Sequence, residues 1–186
     1  MTASGAPTPA ARSEWAPAVL LAASATVVIA LAVQSTVLAS ATLLRVIPQL
    51  VLVVIVSFSY LEGERVGMVT GFTAGLLQDL LLPPPSIVGL TALVYTLIGY
   101  GVGTLREYTA SESVWTPVIA VAGASAAAEL GYASLAIMLG QPWVSFGFTL
   151  QITGLVVLYD VLLTPFVFPL VRKIAGGLRR ERVYRW

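Results

Sequence analysis

The sequence predicts an all-α, polytopic membrane protein of six transmembrane helices, and three observations carry that prediction. Hydrophobic residues fill 58% of the 186 positions and charged residues only 10%, against about 25% charged in soluble domains. Mean hydropathy is +0.91. Six apolar runs near the length needed to cross a bilayer follow one another with short breaks between them.

The runs are expected at Trp15–Ser40, Leu43–Leu61, Val66–Leu82, Ile87–Leu105, Trp115–Leu139 and Val144–Val171. Residues 1–14 ("MTASGAPTPAARSE") are rich in Pro, Ser, Thr and Ala and read as a flexible cytoplasmic tail. A cleavable signal peptide is not expected, because Arg12 is offset by Glu14 and the apolar run behind them is too long. The first run carries a stripe of Ala18, Ala22, Thr26 and Ala30. The third is the shortest, 17 residues or roughly 25 Å of helix, and reads as broken or partly re-entrant. The "PPPS" at Pro83–Ser86 stops it, since proline lacks the N–H and clashes with the preceding turn. Gly99 and Gly103 mark the fourth run, and Gly123, Ala127 and Gly131 flank Glu129 in the fifth. In the sixth, Pro165 and Pro169 are expected to bend the cytoplasmic half. Residues 15–171 thus read as one six-helix transmembrane domain, followed by a basic cytoplasmic tail at 172–186.

Several chemistries are excluded by composition. There is no cysteine, hence no disulfide or thiolate metal site. There is no histidine, which removes the usual general base and the commonest metal ligand. Ser/His intramembrane proteolysis and an H-E-x-x-H zinc site are therefore impossible. An aspartyl intramembrane protease needs a Tyr-Asp helix followed by a Gly-x-Gly-Asp helix; here Tyr159-Asp160 lies in the last run and no Gly-x-Gly-Asp exists. The expectation is a non-enzyme with no catalytic, metal or cofactor residues and no nucleic-acid partner.

Six crossings put both termini on one side. With the termini inside, nine of the ten basic residues are cytoplasmic: Arg12, Arg65, Arg106 and six between Arg172 and Arg185. Only Arg45 is left outside, so the positive-inside rule gives N-in and C-in. Trp15, Trp115 and Trp143 stand near span ends as interfacial anchors. The basic tail reads first as a topology anchor and second as a contact for anionic lipid or a partner.

Three acids, Asp79, Glu129 and Asp160, lie within the runs. A carboxylate at the centre of a membrane helix costs about 2.5–3.5 kcal/mol, so such groups face the bundle interior or water. No basic residue lies within the runs except Arg45 at an end, but Gln34, Gln49, Gln151, Tyr95, Tyr100 and Tyr132 offer neutral partners. Hydrogen-bonded carboxyls are the expected state. For Glu129 and Asp160, interior glue and proton or substrate handling stand as alternatives.

Asp79 belongs to a pattern. Gly67, Gly71, Gly75 and Asp79 recur every four residues, about 400° per step, and form one drifting stripe on a helix face. Small-xxx-small stripes let helix backbones approach closely in lipid. This face is expected to pack, either internally or against a partner helix, and to hold the Asp79 carboxyl against protein. Leu77, about 200° from Gly75, is expected on the opposite face.

The segment "RVIPQLVLVVIVSFSYLEGERVGMVTGFTAGLLQDLLLPPPSIVGLTALVYTLIGYGVG", with "LYDVLLTPFVFPLVRKI" near the end, resembles the MreD family of rod shape-determining membrane proteins. "GFxxGLLxD" followed by a glycine and "ALxYxLxGY" carries most of the resemblance. Pro48, Gly63, Gly71, Phe72, Gly75, Leu76, Asp79, Gly89, Leu93, Tyr95, Gly99 and Pro165 match the family pattern. Two positions depart from it: Gln49 stands where an acid is common, and Asp160 where an amide is common.

The resemblance implies a non-enzymatic scaffold or regulator of the cell-elongation complex in the bacterial inner membrane, controlling cell shape and lateral peptidoglycan synthesis. It implies an MreC-like bitopic partner, together with MreB, RodZ, RodA and a class B penicillin-binding protein, in contact with membrane lipids. The family is also similar to the S-components of energy-coupling-factor transporters. The alternative function is therefore a substrate-binding subunit of a vitamin transporter, with the alanine stripe of the first helix facing a transporter partner.

Overall fold

The computed structural model describes residues 17–38, 48–81, 87–108, 115–141 and 145–180. All regular structure among them is helical: α1 (Pro17–Val33), α2 (Leu50–Glu62), α3 (Glu64–Leu81), α4 (Leu90–Leu105), α5 (Trp115–Met138) and α6 (Phe146–Arg180). A π-helical turn, Gln34–Leu38, extends α1, and a 3-10 turn, Arg106–Tyr108, extends α4.

Among the described residues, three helical stretches are long and apolar enough to cross a membrane: Ala18–Thr36, Trp115–Met138 and Gly147–Gly177. The other three differ. α2 has 13 residues and α4 has 16, roughly 20 and 24 Å of helix against a hydrocarbon core of about 30 Å. α3 has 18 residues but carries Glu64, Arg65, Gln78 and Asp79. The second helix begins at Leu50, seven residues later than the expected Leu43; residues 43–47, with Arg45, lie outside the described residues. So do the N-terminal tail with Trp15, the Pro83–Ser86 run, Trp143 and the chain beyond Arg180. α6 runs on through Pro165 and Pro169 and does not stop at Val171. Its last turns carry Arg172 and Lys173 outward, while Val171 and Ala175 are buried against the bundle.

α2 is the centre of the bundle. Nine consecutive residues, Val51 to Ser59, are buried, and α2 packs against all five other helices. A helix apolar on every side has no face for water or for a single neighbour, which is why it takes the middle. Its two serines are tolerated because each hydroxyl bonds back to its own helix, Ser57 to the Val53 carbonyl and Ser59 to the Ile55 carbonyl, both at 2.7 Å. The outer surface is apolar, with Leu21, Ile29, Ile119, Leu162 and Phe166 all well exposed. That is the surface a lipid solvent requires.

α2 and α3 are joined through Gly63 alone, at φ 94°, a conformation that glycine adopts without a Cβ clash. α3 and α4 then pack antiparallel, with Gly67 against Gly99, Gly71 against Tyr95, and Gly75 against Ala92. Leu77 is partly buried and packs on the core instead of facing away from it. The reason is that α1 and α2 also lie against α3. The outward positions of α3 include Val69, Phe72, Leu80 and Leu81.

Candidate functional site

The first four N–H groups of any helix lack intrahelical partners, and in a lipid interior each orphan costs several kcal/mol. α2 and α4 both begin without a local cap: the residues before them are Gln49 and Gly89, and neither makes a side-chain cap bond. Side chains from other helices fill both gaps.

At α4 the cap is Asp79. Its Oδ2 accepts the backbone N–H groups of Gly89 at 2.8 Å, Thr91 at 3.1 Å and Ala92 at 3.3 Å. The side chain is 2% exposed. A negative end placed on a helix N-terminus also meets the positive end of the helix dipole. The glycine stripe explains how it gets there: Gly75 brings α3 onto the first turn of α4, one turn before Asp79. Gly89 itself is left-handed, φ 97°, which turns the chain into α4.

At α2 two residues share the task. Asp160 of α6 accepts the Gln49 backbone N–H through Oδ1 at 2.8 Å. The Gln34 side-chain carbonyl, from the π-helical turn after α1, accepts the Val51 N–H at 3.0 Å. Pro48, just ahead, has no N–H to satisfy. The other oxygen of Asp160, Oδ2, accepts from the Ser125 hydroxyl of α5 at 2.6 Å. Asp160 and Ser125 are both fully buried.

Gln49 is the hub. Its side-chain Nε2 donates to Glu129 Oε1 of α5, and its Oε1 accepts from the Tyr95 hydroxyl of α4 at 3.3 Å. Its backbone N–H goes to Asp160, and its carbonyl accepts from the Val53 N–H at 3.2 Å. One residue at the start of the central helix thus ties α4, α5 and α6 together. Neutral amide, hydroxyl and backbone groups provide these bonds, and each bond removes a polar atom that lipid could not solvate.

The sequence-derived residues fall into two groups. Asp79 and the α3 and α4 glycines lie in the α3–α4 contact. Gln49, Glu129 and Asp160 lie in one polar cluster. Placing a Cβ at Gly67, Gly71 or Gly75 would bring it 2.3–2.4 Å from α4 backbone atoms; at Gly99 it would be 2.2 Å from the Gly67 carbonyl, and at Gly103 2.3 Å from Glu64 Cα. Of the neutral partners expected from sequence, Tyr95 and Gln34 take part. Gln151 and Tyr100 face outward. Among the described residues outside α5, none lies within 4 Å of the Gly123 Cβ position and only a Val94 methyl, at 3.9 Å, lies near that of Gly131, so the fifth-helix stripe is not a tight packing face against them. Ser125 escaped the sequence reading. It lies four residues before Glu129, hence on the same face, and that spacing is the signal that could have found it.

A family model described as "rod shape-determining protein MreD" matches residues 17–174. The chain belongs to the MreD family. The match takes in all six helices up to the basic end of α6, and so includes both trans-capped helix starts and the Gln49 hub. Membership makes this chain a bacterial membrane protein with a role in rod-shape determination, from a family of shape-determining structural membrane proteins. No curated protein and no solved structure gives a significant match to the chain.

Proposed function

We propose that this member of the MreD family is a non-enzymatic scaffold or regulator of the elongation complex, controlling cell shape and lateral peptidoglycan synthesis. It sits in the inner membrane as a six-crossing protein, N-in and C-in, and associates through helix faces with an MreC-like bitopic partner. MreB, RodZ, RodA and a class B penicillin-binding protein complete the assembly. The observation that carries this reading is the family match over residues 17–174.

The internal chemistry supports a rigid framework. The buried carboxyls of Asp79 and Asp160 act as trans caps and Glu129 as an interhelical tie. The glycine faces of α3 and α4 are occupied by each other, so a partner helix would use a different, outward face.

Affinity purification from native membranes in mild detergent tests the proposal. Recovery of an MreC-like bitopic protein with elongation proteins is the expected result. Recovery of an ATPase-driven transporter module would overturn it in favour of the S-component-like alternative.

A further inference from the structure

A groove of about 420 Å³ runs between α4 and α5. Leu97, Gly101 and Leu105 of α4 form one wall, and Ile119, Gly123 and Ala127 of α5 the other. Both sets are spaced by four, so each is one helix face. Among the described residues, no atom outside the glycine's own helix lies within 4 Å of the Cβ position of Gly101 or of Gly123. The contrast along α4 is sharp: Gly99 and Gly103 are in backbone contact with α3, while Gly101 between them faces open space. Leu97, Leu105 and Ile119 are 58%, 62% and 69% exposed, so the groove opens outward.

Two properties identify what fills it. The first is length. Leu97 to Arg106 is nine helical steps and Thr116 to Ala127 eleven, or roughly 14 and 16 Å. Half of a hydrocarbon core of about 30 Å is about 15 Å, so the groove is about as long as the acyl region of one leaflet is deep. The second is charge. Among the described residues lining the groove, Arg106 is the one that is charged, and it stands at the end where α4 stops. Its Nη1 lies over the α2–α3 turn, 3.7 Å from the Cβ position of Gly63. An apolar channel one leaflet long with a guanidinium at its mouth is complementary to a lipid with an anionic head.

We propose that the α4–α5 groove binds an anionic glycerophospholipid of the leaflet on the Arg106 side, with an acyl chain between Gly101 and Gly123 and the headgroup phosphate on Arg106. The test is the relative association of spin-labelled phosphatidylglycerol and phosphatidylcholine with the full chain reconstituted in vesicles. The wild type prefers phosphatidylglycerol. Arg106→Gln lowers that preference about five-fold, equivalent to roughly 1 kcal/mol for one basic group at an anionic surface. Gly123→Leu fills the groove and reduces association of both lipids, with thermal unfolding unchanged because the space is open. The double variant Arg172→Gln/Lys173→Gln, outside the groove, keeps the preference.

An unchanged preference in Arg106→Gln, or unchanged association in Gly123→Leu, overturns the proposal. So does occupancy by a protein. The chain has no cysteine, so Gly123→Cys is a unique cross-linking site, and its capture of a membrane protein in native membranes would mean that a partner helix occupies the groove instead.

Discussion

The backbone N–H of Gln49 donates to Asp160 Oδ1 at 2.8 Å, joining positions 111 apart in the chain. Beside that bond, the Gln49 amide donates to Glu129. Gln49 and Asp160 are therefore in direct contact, so a charge placed at position 49 would lie beside the Asp160 carboxyl.

That contact predicts coupling. Gln49→Glu replaces a donor with a carboxyl next to Glu129 and Asp160, and should destabilise the protein by about 2 kcal/mol through like-charge contact and the lost donor. Asp160→Asn, which keeps an acceptor for the Gln49 N–H, should be nearly neutral, and combined with Gln49→Glu it should recover more than 1 kcal/mol of the loss. Thermal unfolding of the four proteins gives the double-mutant cycle; strict additivity would refute the coupling.

Glu129 acts as an acceptor for an amide. Glu129→Gln preserves size and an acceptor oxygen, so growth-supporting function at normal protein level should persist. Glu129→Leu strands the Gln49 amide and should lower stability by about 1–3 kcal/mol. Loss of function in Glu129→Gln with normal protein levels would mean that the ionisable carboxyl itself is required.

Alternate glycines of α4 should respond oppositely to the same change. Gly99→Ala places a methyl 2.2 Å from the Gly67 carbonyl oxygen and should cost about 1–3 kcal/mol by overpacking. Gly101→Ala meets no described residue of another helix within 4 Å and should be neutral or stabilise by up to about 1 kcal/mol through reduced backbone entropy. Gly71→Leu, against the Tyr95 backbone, should lower the melting temperature of the isolated protein. Val69→Ala, on the exposed side of α3, should not. A Gly71→Leu protein that melts normally but fails to co-purify with its partner would place the stripe in an intermolecular interface.

Removing the α4 cap should be costly. Asp79→Ala leaves the Gly89, Thr91 and Ala92 N–H groups without their shared acceptor, a loss of about 2 kcal/mol at the upper end of N-cap effects. Asp79→Asn retains an oxygen and should recover most of it. Hydrogen exchange should localise the change to the first turn of α4. Uniform exchange across the helices would contradict the capping role.

The nine-to-one basic asymmetry predicts the topology. Reporter fusions at Thr2 and Arg185 should read as cytoplasmic and one at Pro84 as exterior. A cytoplasmic signal at Pro84 would rule out six crossings.

Much of this protein is written in its periodicity. Lipid forces backbone polar groups to pair within the protein, and continuous apolar runs of about twenty residues meet that demand as helices before any packing is considered. The spacing of Gly67, Gly71 and Gly75 likewise marks a close-packing face, because step-four positions share a side of a helix whatever lies opposite. Helix limits were less legible. α2 starts at Leu50 and α6 continues to Arg180, since apolar runs report solubility in lipid while a helix ends where its terminal groups find partners. Only the tertiary structure decided what the acids do. Gln49 and Gly89 give α2 and α4 no local cap, and the acceptors come from Asp160, Gln34 and Asp79 on other helices. A cap within one helix leaves a fixed spacing in the sequence. A cap reached across the bundle leaves none, because the distance that matters is set by how the helices pack.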